Sequence, residues 1–151
     1  MDSAVQKEHR VVVGVDGSDS SKEALRWAVS QAEATGATVD AVTTWEFPVT
    51  GWTPGVTNGQ FAEWAEQTLN ESVDDVVGPG APVEVRRTVQ CGNAAQVLID
   101  TAKGADLLVV GSRGHGGFAG ALLGSVGQHC AQHADCPVVI IRGETGGHGA
   151  R

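Results

Sequence analysis

Short apolar runs alternate with amphipathic stretches from one end of the chain to the other. Val11-Val12-Val13-Gly14-Val15 is apolar at successive positions, the pattern of a strand covered on both faces. The turn Gly17-Ser18-Asp19-Ser20-Ser21 follows. Ser20 with Glu23 then offers a capping box for a helix whose stripe is Ala24, Leu25, Ala28, Val29 and Ala32, with Gly36 as its stop. Thr38 to Trp45 reads as a second strand. Residues 46–59, rich in Pro, Gly and Thr, form the long loop. A second helix carries Phe61, Trp64, Ala65, Leu69, Val73 and Val76 every three or four residues and breaks at Pro79-Gly80-Ala81-Pro82. The third strand, Val83 to Val89, alternates apolar and charged residues, which predicts one wet face or a sheet edge. Asn93 with Gln96 caps a third helix bearing Ala94, Val97, Leu98 and Ala102, closed by Gly104. Leu107 to Val110 is a fourth strand, a fourth helix begins near Gly124, and Pro137 to Arg142 is a fifth strand.

Strictly alternating strands and helices predict an α/β fold, with a parallel sheet, helices on both faces and right-handed crossovers. Ligands of such sheets bind beyond the C-terminal strand ends, where strand order reverses. The loops after the first and fourth strands both lie at that end. No internal repeat is visible, so residues 9–142 read as one unit between loose tails, 1–8 and 143–151.

Composition narrows the function classes. With 151 residues, 41% of them hydrophobic and 19% charged, the chain suits one globular domain. Its formal net charge of −8 argues against nucleic acids and anionic membranes as partners. Residues 1–10 lack the apolar core of a signal peptide, and no run approaches the roughly 18 apolar residues of a membrane span. Cys91, Cys130 and Cys136 are odd in number and lack metal-motif spacing, as expected of reduced thiols. The expectation is a cytoplasmic protein.

The chemistry concentrates in the segment from Gly111 to Ser125, where a buried strand feeds a glycine-rich loop that ends at a helix N-terminus. Glycines let the backbone approach a phosphate, and the helix end adds free N–H donors and partial positive charge. Ser125 reads both as the cap of that helix and as a phosphate donor. The loop contains Arg113 and His115 but no lysine, and no Gly-Lys-Ser/Thr sequence occurs anywhere. Binding without efficient turnover is therefore expected, with no catalytic residues, and any hydrolysis is slow. His129 and His133 stand at i, i+4 near Cys130 and Cys136. A four-ligand zinc site would need Cys130 to share the histidines' face, so a solvated helix face is expected and no metal site. The cysteines read as small core residues. Trp27, Trp45 and Trp64 read as packing residues, and Trp52 as packing or a cover for a base.

Val12-Val13-Gly14-Val15-Asp16-Gly17-Ser18, Asp106-Leu107-Leu108-Val109-Val110-Gly111-Ser112-Arg113-Gly114, Gly124-Ser125-Val126 and Cys136-Pro137-Val138-Val139-Ile140-Ile141 together resemble the universal stress protein family, in its ATP-binding subgroup. The likeness covers roughly residues 9 to 142. It implies an open, Rossmann-like five-stranded parallel sheet in the order 3-2-1-4-5, with a nucleotide between strands 1 and 4. It further implies ribose on Asp16, the base beside the backbone of Gly14 and Val15 and near Thr44, and phosphates over Gly111, Arg113, Gly114, Gly124, Ser125 and Val126. ATP is the implied ligand, with Mg²⁺ held by the phosphates. The implied role is that of a nucleotide-dependent regulatory or stress-response protein acting on a protein partner. A slow ATPase, or a sensor of AMP or cyclic AMP in the same pocket, is the alternative. A homodimer through the apolar fifth strand (Val138, Val139, Ile140 and Ile141) is implied as well.

Overall fold

The computed structural model describes residues 9–46, 57–112 and 124–142. The expectations for both tails and for Trp52, Arg113, Gly114 and His115 lie outside the described residues. The elements are β1 (Arg10–Gly14), α1 (Asp19–Thr35), β2 (Thr38–Trp45), α2 (Asn58–Val77), β3 (Val85–Cys91), α3 (Ala94–Thr101), β4 (Leu107–Gly111), α4 (Ser125–His133) and β5 (Val138–Ile141). All strand pairs are parallel, and the sheet order is β3-β2-β1-β4-β5. This is the open doubly wound sheet that the alternation predicts, with the reversal of strand order falling between β1 and β4.

The period-2 alternation of each strand divides the core between two layers. Val11, Val13, Val39, Ala41 and Val109 face α1 and α2, and pack with Leu25, Ala28, Leu69 and Val73. Val12, Val42, Leu108 and Val110 face α3 and α4, and pack with Leu98, Ile99, Ala102 and Cys130. β3 is an edge strand with several exposed positions, as its mixed pattern requires. The half-buried β5 forms the opposite edge.

Polar ends are tied down. The Arg10 guanidinium donates to Asp40 at 2.9 Å and to the carbonyls of Thr101 and Lys103 at 3.1 and 2.9 Å. One side chain thus neutralises the buried Asp40 and satisfies carbonyls at the end of α3. Among the described residues no helix is long and apolar enough to cross a membrane.

Several boundaries differ from the sequence reading. β3 starts at Val85 and runs to Cys91, because the turn following the proline-glycine segment extends through Val83. α1 is capped by Ser18, whose hydroxyl accepts from the Ser21 N–H, and not by Ser20. Gly17, at φ +86°, turns the chain early and admits the helix at Asp19, which carries Ser20 into a buried position. Trp64 is 50% exposed, standing edge-on to Phe61 at 5.4 Å.

Candidate functional site

The sheet opens where β1 and β4 end. Pairing between them stops at Val13↔Val109. β1 remains paired to β2 as far as Gly14↔Val42, and β4 to β5 as far as Gly111↔Ile141. The two central strands therefore part at their C-terminal ends, at the point where strand order reverses.

On the β1 side the Val15 N–H donates to the Val42 carbonyl at 2.8 Å, and the Val15 carbonyl accepts from the buried Thr43 hydroxyl at 2.8 Å. Asp16 follows, with an exposed side chain. Its Oδ1 accepts from the Ser18 N–H at 2.9 Å and the Ser18 hydroxyl at 2.6 Å, while its own N–H donates to Ser21 Oγ at 3.2 Å. Asp16 is thus held by an Asx-type turn that also starts α1.

On the β4 side an ideal Cβ on Gly111 would meet Ser20 Oγ at 2.5 Å, so β4 ends directly beneath the first turn of α1. The Ser112 N–H donates to the Ile141 carbonyl at 2.8 Å, and the Ser112 carbonyl accepts from the Gly124 N–H at 2.7 Å. That second bond anchors the start of α4 to the end of β4.

The start of α4 is unlike the other helix starts. Side chains of Ser18, Thr57 and Asn93 cap α1, α2 and α3. The N-cap of α4 is Gly124, in extended conformation, with no side-chain hydrogen bond to the helix. Ser125 is the first helical residue and not the cap, because glycine occupies the position from which a side chain would reach back. The first-turn amides at Ser125 and Val126 thus present donors and the positive end of the helix dipole to an acceptor from outside the helix.

Of the residues singled out in the sequence, Gly14 ends β1 and is followed by Val15 and Asp16, while Gly111 ends β4 and Gly124, Ser125 and Val126 form the start of α4. Thr44 is half-buried in β2 opposite Gln90, on the face that Val42 shares with α3. Sequence reasoning missed Thr43, which the pattern of β2 does not distinguish from Thr44, and it missed the roles of Ser18 as the helix cap and of Ser112 as the anchor of α4. Cys130 is fully buried in α4, and burial pushes its thiol up to about 11, with neighbouring Cys136 adding to the effect. Such a thiol is a core residue and a poor nucleophile.

The chain matches the model of the universal stress protein family over residues 8–142. It is 38% identical over 133 residues to Universal stress protein Rv2623 of Mycobacterium tuberculosis, covering 87% of this chain and 44% of that protein. It spans about half the length of the curated relatives it matches. Among solved structures it is similar to a universal stress protein in complex with cAMP, at 28% identity and a TM-score of 0.70, covering 92% of this chain and 100% of that one. It is also similar to UspA from Lactobacillus plantarum, at 22% identity and a TM-score of 0.70, covering 91% and 99% respectively, a likeness that bears on the fold.

Proposed function

Because the chain belongs to the universal stress protein family, we propose that it binds an adenine nucleotide, ATP foremost, between β1 and β4 and acts as a nucleotide-dependent regulator. The observation that carries this reading is the side-chain-free start of α4, tethered through Gly124 to Ser112 beside the gap between the two strands. Backbone donors at that point suit a phosphate even in a chain whose net charge is −8, because peptide N–H groups and the helix dipole supply local positive charge. Gly111, Arg113, Gly114, Gly124, Ser125 and Val126 take the phosphates, Asp16 the ribose, and Gly14, Val15 and Thr44 the base. Mg²⁺ travels with the phosphates in this reading.

Turnover is slow or absent in this reading. The segment from Gly111 to Ser125 has no lysine to neutralise charge developing on a transferred phosphoryl group. The 28%-identical relative in complex with cAMP favours a second reading, in which the same site senses a cyclic or monophosphate nucleotide. The half-buried, apolar β5 edge supports assembly as a homodimer through Val138, Val139, Ile140 and Ile141, which sedimentation at graded concentrations tests.

The deciding experiment denatures purified protein, identifies released nucleotide by mass spectrometry, and titrates the stripped chain with ATP, AMP and cyclic AMP. ATP binding that falls at least tenfold on replacing Gly114 with a bulky residue supports the first reading. Preferential binding of cyclic AMP supports the second, and binding of none of the three overturns both.

A further inference from the structure

Two histidines stand one turn apart on the outer side of α4. His129 and His133 are both exposed, with ring centroids 4.6 Å apart and ring planes inclined at 42°. The four-residue spacing stacks them on one face, while Cys130, the next residue after His129, turns into the core beside Leu108 and Leu98. Rings so placed can each turn one nitrogen toward a common ion at about 2.0–2.1 Å by side-chain rotation alone. The helix has already fixed their spacing, so little ordering remains to oppose chelation.

We propose that His129 and His133 form a two-imidazole chelate for a first-row divalent cation of the nickel, copper and zinc type. Imidazole selects these ions, whereas Mg²⁺ and Ca²⁺ prefer oxygen ligands. Among the described residues no group of three or more His, Cys, Asp or Glu side chains assembles, so water completes the coordination and the ion exchanges readily. The chain's net charge of −8 favours the approach of a cation. Bound there, the ion ties the middle of the nine-residue α4 to its last residue, a crosslink within a helix too short to be stable alone. This site is independent of the nucleotide site proposed at the other end of the helix.

The test titrates the 151-residue chain with Ni²⁺ by calorimetry and follows thermal unfolding with and without the ion. One Ni²⁺ per chain is expected, with a higher Tm in its presence. Binding weakens at least tenfold in H129N and in H133N, and both variants lose the Tm increase. A variant with His9, His115 and His148 replaced by Asn keeps the site. Paramagnetic broadening of imidazole NMR signals in the unmutated chain supplies a readout that needs no variant, and it falls first on His129 and His133. The proposal is overturned if the chain takes up no Ni²⁺, if H129N and H133N bind it equally well, or if broadening falls first on other histidines.

Discussion

The first turn of α1 rests on the backbone of Gly111: a Cβ there would stand 2.5 Å from Ser20 Oγ and 2.8 and 2.9 Å from the carbonyl carbon and oxygen of Ser20. Because two of those three atoms are backbone, no rotamer change relieves the contact. Gly111→Ala is therefore expected to destabilise the fold by about 1–3 kcal/mol in urea denaturation. Adding Ser20→Gly restores only part of that loss. Full rescue by the second change would show that the hydroxyl alone sets the spacing.

Ser18 joins two functions in one side chain, capping α1 and holding Asp16. Ser18→Ala is expected to lower stability by about 0.5–2 kcal/mol, measured as a shift in denaturation midpoint. Asp16→Asn keeps an oxygen for the Ser18 amide, so it loses less stability than Asp16→Ala. Equal losses in the two Asp16 variants would contradict the turn described for this residue.

The neighbouring threonines of β2 separate stability from binding. Thr43 is buried and donates to the Val15 carbonyl, so Thr43→Val is expected to cost about 1–3 kcal/mol of stability. Thr44→Val, at a half-buried position on the other face, leaves the midpoint nearly unchanged. In the proposed function it alters nucleotide affinity instead. Calorimetry and denaturation run on both variants read the two effects apart.

Cys130 gives folding a pH dependence of known sign. Its thiol is raised from the ordinary 9.0 to about 11 by burial. The unfolded chain therefore loses this proton at lower pH than the folded one. Stability from the neutral thiol is whole below pH 9 and falls as pH climbs toward 11. The chain contains no tyrosine, so no phenol titrates across that window. Denaturation between pH 8 and 11 should show a loss on the order of 2 kcal/mol that Cys130→Ala lacks. In the folded chain, exposed Cys91 should react with a thiol reagent long before Cys130 does.

The strand and helix periods were legible because burial on one or both faces writes itself directly into residue order. Val11 to Val13, Thr38 to Trp45 and the Asn93 cap of α3 all stand where their patterns place them. Capping at α1 was not, since Ser18, Ser20 and Ser21 offer the same chemistry and only the left-handed turn at Gly17 selects among them. The start of α4 misled for a related reason: Ser125 is the residue type that caps, yet Gly124 holds the capping position. Thr43 and Thr44 are adjacent and alike, so their roles depend on which face of β2 each occupies. The close approach of Gly111 to Ser20 joins residues far apart in sequence, and no local pattern encodes it.

The bond from the Gly124 amide to the Ser112 carbonyl fastens the two edges of an interval, residues 113–123, to the rigid frame. That bond places the first turn of α4 by main-chain atoms alone, so side-chain substitution at Ser112 or Ser125 leaves it where it is. The frame around the proposed site is thus written in backbone, and drift among its side chains does not move it.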